Sequence, residues 1–242
     1  RGEIESALAS NAVGVRRNTV EILARYRHSV AASFLVRALD DTDFQVRLAA
    51  VKGLAGAGSS AALEKLGELL KKDDTAEIRL ACVRALVICG KQLSIPFIAP
   101  AIADKSWDVR VAAVEALANM NSREAARALI PALLDKDETI ASFAAEMAYE
   151  YADASFDIVV PQLAKSLKDK RRLVRDYAQR LLAKTGTTSA INALIESMDD
   201  PDPQLAEQAA EYVFNKADSS AVPLLTAKLS SESDTVRYYI VQ

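Results

Sequence analysis

Apolar residues in this chain recur in pairs four apart: Leu35/Leu39, Ile98/Ile102, Leu129/Leu133, Leu163/Leu167, Leu194/Met198 and Leu225/Leu229. Each pair is one stripe of an amphipathic helix. Eight residues beyond each pair stands the third residue of a short motif: QVRL at 45–48, DVRV at 108–111, TIAS at 139–142, LVRD at 173–176, QLAE at 204–207 and TVRY at 235–238. GVRR at 14–17 and EIRL at 77–80 complete the series. Taken as a marker, that third residue falls at positions 16, 47, 79, 110, 141, 175, 206 and 237, at spacings of 31 or 32 apart from one of 34. A period of this length repeated eight times defines a helical array.

The polar positions share the register. Six residues before the marker stand Asp41, Asp73, Asp104, Asp135, Asp169 and Asp200, with Ser10 and Ser231 at the ends. Four before it stand Asp43, Thr75, Ser106, Asp137, Asp202 and Ser233, residue types that cap the first turn of a helix. Each repeat therefore reads as helix A ending near the aspartate, a tight turn, and helix B starting at the cap. In the fourth repeat helix A is expected over about 94–103 and helix B over about 107–120. Small residues just after the marker, such as Ala49/Ala50, Ala81/Cys82, Ala112/Ala113 and Ala144/Ala145, let the B helices approach closely.

The expectation is an all-α superhelix of about eight two-helix repeats, stacked right-handedly as one domain over 1–242. Its approximate repeats are 1–26, 28–57, 60–90, 93–120, 122–152, 155–186, 188–217 and 219–242. Composition agrees. The chain holds 44 alanines among 242 residues, aromatics are 6% and glycines only 8, which suits helices and excludes an all-β fold.

The stretch 41–54, DTDFQVRLAAVKGL, resembles a HEAT repeat, and the short period is similar to the variety found in phycobilisome lyases. The resemblance covers essentially the whole chain. It implies that the recurrent charges form a structural ladder between successive repeats: Asp41, Arg47, Asp73, Arg79, Asp104, Arg110, Asp135, Asp169, Arg175, Asp200 and Arg237. It also implies two rival functions, a bilin lyase or isomerase subunit and a DNA-alkylation glycosylase.

Three departures mark the pattern. Ala141 and Ala206 replace the marker arginine, Arg171 replaces the cap in the sixth repeat, and three extra residues fall around Tyr151–Asp157. Both ends look trimmed, so the chain is expected to be a fragment of a longer protein.

Candidate chemistry is sparse. The one histidine, His28, and two cysteines on a separate helix do not make a zinc site, and no nucleophile motif accompanies His28. GLAGAG at 53–58 follows a helix rather than a strand, so it reads as a helix C-terminus and turn. No catalytic residue, metal or cofactor is assigned. Cys82 and Cys89, seven apart on one helix, are too distant for a disulfide with each other; two reduced thiols suit a cytoplasmic chain. No run of 18 apolar residues suggests membrane insertion.

What remains is a surface. Positions one, two, five and nine after the marker form the outer face of helix B, the face that lines the concave side of such solenoids. Position five is Glu21, Lys52, Arg84, Glu115, Glu146, Arg180 and Glu211, charged in each of the first seven repeats. Over the four positions, six basic residues (Arg17, Arg25, Lys52, Arg84, Arg180, Lys184) meet seven acidic ones (Glu21, Glu115, Glu146, Glu150, Asp176, Glu207, Glu211). The chain itself has net charge -3. Mixed sign opposes a nucleic-acid duplex and suits a protein or peptide. Leu80, Ile88, Val111, Phe143 and Tyr177, with Trp107 at the start of a B helix, are the expected anchors, and Arg84 and Arg180 the expected charge partners. Leu48, Leu80 and Val111 equally suit packing between B helices. The function expected is a non-catalytic protein-binding scaffold.

Overall fold

The structure is a computed structural model that describes residues 2–26, 29–229 and 233–242. His28 and Ser231 lie outside the described residues. The fold is all-α, and no strand occurs among the described residues. Contacts gather into two compact units, 1–120 and 121–242. Unit 1 contains α1 (Gly2–Leu8), α2 (Val13–Arg25), α3 (Ser29–Ala38), α4 (Phe44–Ala57), α5 (Leu63–Lys72), α6 (Ala76–Gly90), α7 (Ile95–Ile98) and α8 (Trp107–Ala118). Unit 2 contains α9 (Arg123–Ala128), α10 (Glu138–Tyr151), α11 (Val160–Ser166), α12 (Arg172–Thr185), α13 (Thr188–Glu196), α14 (Pro203–Lys216), α15 (Val222–Ala227) and α16 (Asp234–Val241).

Odd-numbered elements are the A helices and even-numbered ones the B helices. Within unit 1, α2, α4, α6 and α8 pack side by side in order, and α3 and α5 lie against α4 and α6. Unit 2 repeats the scheme with α10, α12, α14 and α16, backed by α11 and α13. A B helix thus has neighbours on three sides, and its core columns show it. One residue before the marker, Val46, Ile78, Val109, Ile140, Val174, Leu205 and Val236 are all buried. Seven after it, Leu54, Leu86, Leu117 and Leu182 are buried as well. Each such side chain contributes roughly 1.5–3 kcal/mol. Gly53 permits a close approach between B helices: a Cβ there would stand 2.7 Å from the Cβ of Ala24 on α2.

Helix starts follow the polar columns with two corrections. Asp43, Asp137, Asp202 and Ser233 accept first-turn N–H groups, whereas the side chains of Thr75 and Ser106 occupy the cap position without such a bond. GLAGAG ends α4, with Gly58 at φ 62° donating its N–H to the Leu54 and Ala55 carbonyls. The A helices are less regular than the apolar pairs suggest. In the fourth repeat only Ile95–Ile98 is α-helical and Ala99–Ala103 tightens to 3-10, and in the fifth Ile130–Leu134 does the same. Pro100 and Pro131 sit at the start of these segments; each lacks an N–H and crowds the preceding turn. The extra residues of the sixth repeat form a 3-10 segment, Ala154–Val159, that buries Phe156 fully.

By length and composition, Ala76–Ala103 is apolar enough to cross a membrane. Here the backbone breaks at Lys91, with φ 48°. Its apolar side chains, Ile78, Cys82, Val83 and Leu86 among them, are spent on packing within unit 1.

Candidate functional site

The aspartate–arginine columns form repeated clamps. Arg16 Nε donates to Asp41 Oδ2, Arg47 Nε to Asp73 Oδ2 and Arg79 Nε to Asp104 Oδ2, each at 2.7 Å. Arg175 Nε meets Asp200 Oδ2 at 2.7 Å in the same way. The other carboxylate oxygen accepts the backbone N–H two residues on, as Asp41 does from Asp43 and Asp104 from Ser106, both at 2.8 Å. Arginine Nη1 donates back to the carbonyl of its own repeat's turn: Arg47 to Asp41 O and Arg79 to Asp73 O, both at 2.8 Å. One guanidinium thereby fastens two turns. Burial raises the Asp41 and Asp104 carboxyls, but the guanidinium bonds and the backbone donors hold both below the ordinary value.

Unit 2 departs from this scheme and repairs itself. Ala141 supplies no guanidinium for Asp169. Arg171, two residues after that aspartate, bonds it through Nε at 2.9 Å and Nη2 at 3.1 Å. Its Nη1 donates to the Asp135 carbonyl. An arginine at 141 would address these same two groups, so the two departures in sequence are one exchange. Asp135 Oδ1 accepts from Asp137 N–H, and Arg110 Nη1 reaches Asp104 O at 3.2 Å. Arg237 pairs with Asp234 in its own helix.

The outer face of the B helices differs between the units. In unit 1, Leu48 is buried and Leu80 and Val111 half-buried, so they pack between helices. Ile88 is 55% exposed and Trp107, the first residue of α8, 51%. Arg84 is exposed. In unit 2, Phe143 is 38% exposed, and Tyr177 and Arg180 are half-buried. The Arg180 guanidinium lies 5.2 Å from the Tyr149 ring centroid and 5.8 Å from that of Tyr177. Lys184 Nζ lies 4.2 Å from the Tyr149 centroid and donates to the Tyr149 carbonyl. Next to them, Gln208 Nε2 donates to Asp176 Oδ1 at 2.8 Å. Burial and the nearby Asp176 push the Tyr212 phenol above its ordinary value. Phe214 and Tyr239 bring ring centroids to 5.6 Å, continuing the aromatic surface.

Tyr149, Tyr212 and Phe214 are additions to the surface expected from sequence. Tyr149 and Phe214 are eight residues after their markers. At 100° per residue that position lies about 20° from the first one, so helical geometry alone would have included them.

Chemistry for a reaction is scarce. No group of three or more metal-ligating side chains gathers among the described residues. Cys82 and Cys89 are buried, and burial pushes both thiols up, away from nucleophilic thiolate. A cleft of about 780 Å³ in unit 1 lies where Gly67 and Lys71 replace the usual apolar pair. Its Arg79 and Asp104 are already joined to each other in the clamp.

Stacked two-helix units fastened by buried arginine–aspartate clamps define a helical-repeat protein. The models of HEAT repeats match residues 3–87, 78–150 and 95–183, and the chain belongs to that family. No curated protein matches it in sequence. Among solved structures, it is similar to the complex of CpcE and CpcF of phycocyanin lyase from Nostoc sp. PCC7120. That match has 18% identity over 98% of this chain and 91% of that one, with TM-score 0.47. An engineered protein matches at 20% identity over 98% of this chain and 76% of that one, with TM-score 0.43. Human deoxyhypusine hydroxylase in complex with glycerol matches at 21% identity over 88% and 84%, with TM-score 0.41.

Proposed function

We propose that the chain is a non-catalytic scaffold that holds a protein or peptide partner on the outer face of its B helices. The observation that carries this reading is the exposure of rigid rings on one side of a packed helix layer: Phe143, Tyr149, Phe214 and Tyr238. Burying such rings is the usual source of strong contacts at an interface. HEAT repeats generally mediate protein interactions, which supports the same reading. Inert buried thiols suit a reducing compartment, and we carry the cytoplasm as the proposed location.

The test is affinity capture with identification by mass spectrometry, comparing wild type with Phe143→Ala/Tyr177→Ala. Circular dichroism checks that both fold. Loss of the captured partner by the folded double variant is the expected outcome. Undiminished capture, with sensitivity to changes on the A helices instead, would overturn the assignment. Incubation with a bilin is expected to leave its absorbance unchanged; a shifted spectrum would replace the scaffold with a lyase subunit.

A further inference from the structure

We propose that the outer face of unit 2, across α10, α12 and α14, takes a basic peptide segment. The inference rests on the scaffold reading and adds the chemistry of the partner. Glu146, Glu150 and Glu211 are exposed, and among the described residues none of their carboxylates has an ion pair. The cations that could have balanced them are occupied. Arg180 lies against the rings of Tyr149 and Tyr177, and Lys184 lies over Tyr149 while bonding main-chain carbonyls of Tyr149 and Glu150. Over the outer positions of unit 2, Glu146, Glu150, Asp176, Glu207 and Glu211 outnumber Arg180 and Lys184, so the face carries net negative charge.

The rings complete the complementarity. Lysine and arginine carry apolar stems that lie on aromatic surface and charged heads that reach beyond it. Phe143, on the helix of Glu146 and Glu150, and Phe214, on the helix of Glu211, offer exposed ring surface. Glu146 and Glu150 are one helical turn apart, about 6 Å along α10. Alternate residues of an extended peptide are about 6.6 Å apart, so two basic side chains on one side of such a segment match them. The outer face of unit 1 has the opposite balance, with Arg17, Arg25, Lys52 and Arg84 exposed against Glu21 and Glu115, and gives an internal contrast.

The experiment is fluorescence anisotropy on the whole chain with two fluorescein-labelled nonapeptides, one repeating Lys-Lys-Leu and the other Glu-Glu-Leu. The basic peptide is expected to bind at least 10-fold more tightly than the acidic one and to weaken as salt is raised. Glu146→Lys/Glu150→Lys/Glu211→Lys should weaken it by at least 10-fold, and the neutral triple Glu→Gln variant by several-fold, with circular dichroism unchanged. Tyr149→Leu, which releases Arg180 and Lys184, should also weaken it, whereas Lys52→Gln/Arg84→Gln in unit 1 should not. Equal binding of both peptides, or indifference to the folded charge variants, overturns the proposal. If capture of a natural partner still depends on Phe143 and Tyr177 in that case, the scaffold reading survives and only the basic partner is lost.

Discussion

Unit 1 and unit 2 use the same helical pair but distribute bulk and charge differently. Four residues after the marker, unit 1 places Val20, Val51, Val83 and Val114, all buried, whereas unit 2 places Ala145, Gln179 and Ala210 and, exposed in the last repeat, Val241. Two residues after the marker the order reverses: unit 1 has Asn18, Ala49, Ala81 and Ala112, and unit 2 has Phe143, Tyr177, Gln208 and Tyr239. In the fifth and seventh repeats, at Ala145 and Ala210, the core column has lost side-chain volume, and in the fifth, sixth and eighth the outer column has gained a ring. Unit 1 thereby gains a uniform apolar core, and unit 2 gains an aromatic surface with net negative charge. The clamps differ in the same sense. Unit 1 uses one arginine column throughout, and unit 2 draws the guanidinium for Asp169 from Arg171. What the fold demands is a planar donor at that place between two turns, whichever residue delivers it.

The largest test of this contrast is Arg79→Ala. Arg79 is 3% exposed, and its loss leaves Asp104 and the Asp73 carbonyl without their guanidinium. We expect a cost of about 3 kcal/mol by denaturant unfolding. A midpoint unchanged from wild type would make the clamp energetically idle. Arg171→Ala should cost less, about 1–2 kcal/mol, because that clamp is more open to water. Ala141→Arg in the Arg171→Ala background should then recover most of the loss. Further destabilisation by the second change would show that the two positions do not serve one slot.

A smaller effect, of opposite sign, is expected at Gln179. Its side chain is buried in a core column, its Oε1 accepts from Gln208 at 3.3 Å, and its Nε2 meets no acceptor among the described residues. Gln179→Met keeps the volume and removes the unpaired donor, so thermal unfolding should report a gain of about 1 kcal/mol. Destabilisation would mean that the amide holds the helices in register. The smallest effect is one of pH. Asp41, Asp104 and Asp169 titrate below the ordinary carboxylate value in the fold. Their stabilisation is complete above the unfolded value near ~4 and disappears as pH falls through the lowered folded values. Acid titration of stability should therefore be shallower in Asp104→Asn than in wild type.

The repeat architecture was legible because packing demands the same residue type at the same place in every repeat. Val46, Ile78 and Val109 recur for a reason that the period exposes directly. The aspartate and arginine columns were legible likewise. The exchange of Ala141 for Arg171 was not, since each stands in a different column and each looks like a loss when read alone. The sequence columns make Arg180 a charge for a partner, although Tyr177, three residues before it, and Tyr149, on another helix and outside the four outer positions, both engage it. The 3-10 windings escaped a reading by apolar pairs, although Pro100 and Pro131 announce them.

Ala206 has a kinetic consequence. No guanidinium leaves α14 at that marker, α15 buries none of its residues and α16 buries only Val236. The last pair of helices is tied on by few contacts, among them the rings of Phe214 and Tyr239 and an ion pair between Lys228 and Asp199. Amide protons of α15 and α16 should therefore exchange with solvent by local opening, long before those of α12, which remain protected until the unit unfolds as a whole.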